Sequence, residues 1–127
     1  MLTLGLKGHQ EITVTTEMTA KHVGSGVVNV FATPMMIALM EKTASLSVAS
    51  ELSDDESTVG TNINVSHCAP TPVGMRVTCD TEIVEIDHRR IVFKVAAYDE
   101  AGLIGEGTHE RFIINVTKFQ AKADLKL

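Results

Sequence analysis

Residues 33–51, TPMMIALMEKTASLSVASE, decide the fold. Thr33 followed by Pro34 reads as a helix start: a threonine hydroxyl can accept from the free amide hydrogens of a first turn, and a proline at the first helical position gives up no bond it would have made. From Pro34 to about Glu51 the apolar residues Met35, Met36, Ile37, Ala38, Leu39, Met40, Ala44, Leu46, Val48 and Ala49 leave almost no polar face. A helix of that kind is enclosed by other elements and not laid on a surface. Glu41 and Lys42 interrupt the run, so it stays well short of the roughly 20 apolar residues that would span a bilayer.

Outward from the helix, the chain alternates. Residues 1–10 carry no clear period, whereas Glu11 to Met18 sets Ile12, Val14, Thr16 and Met18 against polar neighbours, the pattern of a half-buried strand. Lys21 to Ser25, with Gly24 and Gly26 nearby, reads as a loop able to cover a pocket, and Val27 to Phe31 as a short apolar approach to the helix. Beyond the helix, Ser53 to Ser57 is an acidic loop. From Thr58 the period becomes two: Val59, Thr61, Ile63, Val65 and His67 share one side, and Gly60, Asn62, Asn64 and Ser66 the other. Pro70, Pro72 and Gly74 make a rigid turn. Arg76–Ile86 and Arg90–Tyr98 read as a hairpin joined at Asp87-His88-Arg89, a turn at Asp99 to Gly102 leads to a last strand from Leu103 to about Val116, and Lys118 to Leu127 reads as a short helix.

A strand, a long buried helix and then four strands in meander are best satisfied by an α+β hot-dog fold, an antiparallel five-stranded sheet wrapped around one long central helix. One helix cannot cover such a sheet completely and an edge strand stays open, so a homodimer paired edge to edge is the minimum assembly expected, with further pairing into tetramers left open.

The 127 residues suit a single domain over 1–127 that buries about two thirds of its unfolded surface without disulfides or metal. A net charge of −5, one Tyr, no Trp and no lysine-arginine block argue against nucleic acid as a partner. Cys68 and Cys79 form no C-x-x-C, and the N-terminus lacks a charged segment followed by an apolar one, which points to a reducing cytoplasm. His9, His22, His88 and His109 are scattered without metal-ligand spacing, so no metal site is expected.

Thr33, Glu41 and His67 are the candidates for chemistry. Glu41 has Ile37, Ala38, Ala44 and Ser45 at three and four positions, with no cation among them. A carboxylate there either reaches water or a dimer seam, or finds a partner in a functional site. Thr33 has a sufficient structural task as a helix cap, but the amide hydrogens of a helix start also suit an oxyanion. His67 ends the more apolar face of its strand and, as a neutral imidazole, can take a proton from a hydroxyl or a water; a satisfied histidine at a strand end is the plainer alternative. Gly60 stands where a larger side chain is expected, either for close approach of a ligand or of another backbone, or for a plain β-bulge. Cys68 neighbours His67 in sequence but should point to the opposite face. Arg89, Arg90, Lys94 and Arg111 read as phosphate contacts or as solvated charge.

Val30-Phe31-Ala32-Thr33 leading into Leu39-Met40-Glu41, Gly60-Thr61 before Val65-Ser66-His67, Ala69-Pro70-Thr71-Pro72-Val73-Gly74, and Gly107-Thr108-His109-Glu110-Arg111 together resemble the hot-dog acyl-coenzyme A thioesterases, and within them the fluoroacetyl-coenzyme A thioesterase group. The resemblance runs from about Phe31 to Ala121. It implies that Thr33, Glu41 and His67 form the catalytic set, that Gly60 lines the acyl site with Phe31 and Arg111 also binding substrate, and that coenzyme A enters as part of the substrate with no separate cofactor. The likeness departs ahead of the helix, where the fluoroacetyl type carries a longer segment with phenylalanines over the acyl group, while Lys21 to Val30 is short and has none.

The implied reaction is hydrolysis of a short acyl-CoA thioester. The rivals are a hot-dog enoyl-CoA hydratase, which would release no thiol, and a non-catalytic acyl-CoA binding protein. Eight residues of regular helix rise about 12 Å, so Thr33 and Glu41 of one chain do not meet. Either the helix begins irregularly or the site at the dimer interface combines residues of two chains.

Overall fold

The computed structural model of the protein describes residues 1–127. Five strands, β1 (Lys7–Thr13), β2 (Glu56–His67), β3 (Arg76–Asp87), β4 (Arg90–Asp99) and β5 (Gly102–Asn115), form one antiparallel sheet in the order β1-β3-β4-β5-β2. The helices are α1 (Ala20–Val23), α2 (Thr33–Val48) and α3 (Val116–Asp124). No helix is long and apolar enough to cross a membrane.

The expected five-stranded antiparallel sheet curled around one long helix is the architecture observed. Met36, Leu39, Met40, Ala44 and Val48 of α2 are buried against Val77, Cys79 and Ile83 of β3, Ile91, Phe93, Val95 and Ala97 of β4, and Ile104 of β5. Burying each of these larger side chains contributes on the order of 2 kcal/mol. Only one side of α2 is covered: Pro34, Ala38, Lys42 and Leu46 stay exposed, so the helix is not enclosed within one chain as its composition suggests.

Several local readings are corrected. The first strand lies earlier, over Lys7–Thr13, where Gly8, Gln10 and Ile12 alternate with polar residues along a sheet edge; Thr16–Met18 is a 3-10 turn. Part of the loop from Lys21 is helical, because Thr19 caps α1 by accepting from the His22 amide, and Gly24 closes it in the left-handed region at φ 89°. Helix α2 ends at Val48, and Ala49–Glu51 continues as a 3-10 turn. The four later strands are not a simple meander: β3, β4 and β5 are, whereas β2 crosses to the far edge and pairs with β5.

The alternation along β2 also changes phase. Its register with β5 slips between Gly60 and Asn62, a bulge that leaves Thr61 unopposed. Before the bulge Thr58 is buried and Gly60 faces α2; after it Ile63, Val65 and His67 are the half-buried row. Val59 and Thr61 therefore do not share the face of His67.

Strand β5 admits this packing through its inward row of Gly105, Gly107, His109 and Arg111. A Cβ at Gly105 would meet Met36 Sδ at 2.5 Å, and one at Gly107 would overlap the Asn64 carbonyl oxygen and reach Val65 Cα at 2.7 Å. Because the obstacle at Gly107 is backbone, Gly107→Ala is expected to cost about 3 kcal/mol, read as a lowered urea midpoint; an unchanged midpoint would show that β2 is not held this tightly.

Candidate active site

The first half of the site is a hydroxyl-imidazole pair. Residue 33 is the first of the helix and not its cap: Ala32 occupies the cap position in extended conformation and makes no side-chain cap bond. The Thr33 hydroxyl is thus free of the backbone, and Thr33 Oγ1 lies 2.7 Å from His67 Nδ1. Two sets of main-chain bonds bring these residues together. The Phe31 amide donates to the Thr71 carbonyl at 2.8 Å and the Ala32 amide to that of Met18 at 2.9 Å, which fixes the helix start. His67 pairs with Gly105, and the following Cys68 amide donates to the Ile104 carbonyl at 2.7 Å, which fixes the strand end.

Thr33 and His67 open into a cavity of about 360 Å³ walled by Ala20, Ser25, Val30, Phe31, Cys68, Ala69 and Pro70. Phe31 is fully buried and forms both core and cavity wall. Cys68, which also borders this cavity, is exposed, and its Sγ lies 3.9 Å from the Leu103 carbonyl. Burial holds the His67 imidazole below the ordinary histidine range, an effect that the nearby Ala69 backbone partly opposes. Its Nε2 is enclosed and has no hydrogen-bond partner within the chain.

Glu41 stands in a second cavity of about 420 Å³, with Gly60, Thr61, Asn62, Ile63 and His109. Helix α2 is regular from Thr33, so the option of an irregular start is removed, and the two halves lie about 12 Å apart along the axis. Within one chain Thr33 and His67 meet, and Glu41 does not join them.

The partner that Glu41 lacks on its own helix comes from β5. Arg111 Nη1 is 3.6 Å from Glu41 Oε2, with the two side chains 8% and 45% exposed. Arg111 is not solvated charge: its Nε donates to Thr58 Oγ1 at 2.7 Å, Nη2 to the Thr58 carbonyl at 2.8 Å, and Nη1 to His109 Nε2 at 3.1 Å. Gly60 is what lets Glu41 reach this group, since a Cβ there would stand 2.6 Å from Glu41 Oε2 and 3.2 Å from His109 Cε1. Gly60 flanks the bulge, as one reading has it, and the group that approaches it closely is the Glu41 side chain. His109 and Thr58 were not singled out by the sequence, although the alternation Gly105, Gly107, His109, Arg111 puts His109 on the inward face.

Comparisons with known proteins bear on the fold and the family. A hot-dog-like protein from Thermanaerovibrio acidaminovorans superposes with a TM-score of 0.90 at 18% identity, covering 99% of this chain and 93% of that one, which shows the hot-dog fold. The family model described as fluoroacetyl-CoA-specific thioesterase matches residues 14–117, and the chain belongs to that family of acyl-CoA thioesterases. Among its relatives, the fluoroacetyl-CoA thioesterase of Streptantibioticus cattleyicolor is 42% identical over 97 residues, 76% of this chain and 70% of that protein. The solved structure of the fluoroacetyl-CoA thioesterase FlK matches with a TM-score of 0.96 at 34% identity, covering 100% and 98% of the two chains.

Because the nearest obstacle at Gly60 is the flexible end of Glu41, with the buried His109 ring next at 3.2 Å, Gly60→Ala is expected to fold with about 1 kcal/mol lost while thioester hydrolysis falls about 10-fold or more through displacement of the carboxylate. Thermal unfolding and turnover measured side by side decide this; full activity would show that the position of Glu41 is immaterial.

Proposed function

We propose that the protein hydrolyses a short acyl-CoA thioester to free acid and coenzyme A at a site completed across a homodimer. The 2.7 Å contact between Thr33 Oγ1 and His67 Nδ1 carries this reading. A neutral imidazole is a base near physiological pH, and burial favours the neutral form. His67 takes the proton of the Thr33 hydroxyl, or of a water that this hydroxyl positions, as oxygen attacks the thioester carbonyl; it then returns the proton to the departing thiolate sulfur. The carbonyl oxygen gains negative charge, which the positive end of α2 opposes together with the Thr33 amide, the one donor of that first turn without a backbone partner, since Pro34 has no N–H and the Met35 and Met36 amides donate to the Ala32 carbonyl. Glu41, held beside Arg111, orients the attacking group or serves as second base.

The separation of the two half-sites along α2 supports the two-chain arrangement: Thr33 and His67 come from one protomer and Glu41 from the other. The open edge of β2 and the exposed residues Pro34, Ala38 and Leu46 of α2 supply surface for that pairing. The whole chain acts as one thioesterase domain and needs no cofactor beyond the coenzyme A of its substrate. Gly60 and Phe31 bound the acyl space, and Arg111 acts on the substrate end of Glu41. A cavity of about 360 Å³ suits a small acyl group. The free thiols Cys68 and Cys79 fit a reducing cytoplasm.

Release of free thiol from a panel of acyl thioesters, from acetyl and haloacetyl to medium-chain and aromatic, tests the reaction. Glu41→Gln and His67→Ala are each expected to lower kcat by about 100-fold to 10,000-fold with unfolding little changed; hydration without thiol release, or collapse of the fold in both variants, would contradict the reading. The pH profile is a second test. The active form of His67 is the neutral one and its pKa is lowered, so activity should persist as pH falls past about 6.5 and decline only below it. An acid limb above that value would exclude His67 as the base.

A further inference from the structure

The most fully enclosed histidine of the molecule is His109, 1% exposed on the inner face of β5. Its two ring nitrogens have different partners. Nδ1 lies 2.8 Å from the Asn62 carbonyl, which can only accept, so Nδ1 carries hydrogen and donates. Nε2 lies 3.1 Å from Arg111 Nη1, which can only donate, so Nε2 carries the lone pair and accepts. Only the neutral Nδ1–H tautomer satisfies both contacts, and burial beside the Arg111 cation favours that uncharged form.

We infer that His109 is a positioning residue, a tautomer-locked acceptor that aims the Arg111 guanidinium at Glu41; the inference rests on the thioesterase reading above for its kinetic consequence. Thr58 holds Nε and Nη2 of Arg111 on one side. His109 holds Nη1, the nitrogen that also faces the Glu41 carboxylate at 3.6 Å. The relay starts at the bulge of β2, since Asn62 is the first residue after the register slip, and its carbonyl fixes the ring. The ring lies beside Phe93, with centroids 6.3 Å apart and planes 29° from parallel. His109 has no direct contact with the Glu41 carboxylate among its hydrogen bonds and acts on it through Arg111.

Two replacements separate positioning from mere filling of space. In His109→Asn the side-chain amide can replace Nδ1–H toward Asn62 but leaves Arg111 Nη1 without an acceptor. In His109→Gln the longer side chain brings an oxygen to the place of Nε2. His109→Asn is expected to lose about 100-fold in kcat with KM within about 2-fold of the parent, and His109→Gln to recover most of that loss, the two differing little in melting temperature. Equal losses in both variants that follow their melting temperatures, or no loss in either, would overturn the inference. Nitrogen-15 NMR of the histidine rings in the parent protein is the arm independent of activity: protonated Nδ1 with bare Nε2 on His109 supports the relay, and the opposite tautomer or an imidazolium overturns it. Were no thiol released from any thioester, the functional reading would fail, and the tautomer would still decide the His109–Arg111 contact.

Discussion

The inward row of β5 is the constraint on which the site depends. Its first half has no side chains, so Gly105 admits Met36 of α2 and Gly107 admits the backbone of β2. Its second half is large and polar, and His109 and Arg111 fill the space that β2 leaves where it bulges. The same strand therefore brings the helix start to His67 at one end and supplies the cation for Glu41 at the other. A buried arginine is tolerable here because Thr58 and His109 satisfy its donors and a carboxylate stands opposite.

Chemistry follows from two small displacements of the backbone. Starting α2 at Thr33 with Ala32 as cap moves the threonine hydroxyl out of the capping role and toward His67. Inserting Thr61 as an extra residue in β2 turns Gly60 toward Glu41 while leaving His67 on the inner face. Without the bulge, a strict two-residue period would place Gly60 and His67 on opposite faces, and the carboxylate would meet a side chain.

Much of this was legible in the sequence because the strongest signals are periodic. The long helix starting at 33, the hairpin around His88 and the inward half-row Ile63, Val65, His67 appear as read, while the end of that helix and its complete enclosure do not. The first strand was hidden because an edge strand with Lys7, His9 and Glu11 on its open face has little apolar pattern. The crossing of β2 to the far edge follows from pairing and not from local pattern, which is why four strands read as a meander. Arg111 read as solvated charge because its partners lie on another strand and another helix, 53 and 70 positions away in sequence for Thr58 and Glu41. The two glycines that precede His109 and Arg111 on the same face were the available signal.

In the arrangement proposed above, each chain carries two half-sites that a second copy completes. Mixing Thr33→Ala and Glu41→Gln protomers after joint unfolding and refolding tests it most directly. In a composite site every mixed dimer holds one position with both residues intact, so random pairing should restore about a quarter of the parent turnover from two nearly inactive parents. A mixture no more active than its components would rule out sites shared between chains and return the whole catalytic set to a single chain.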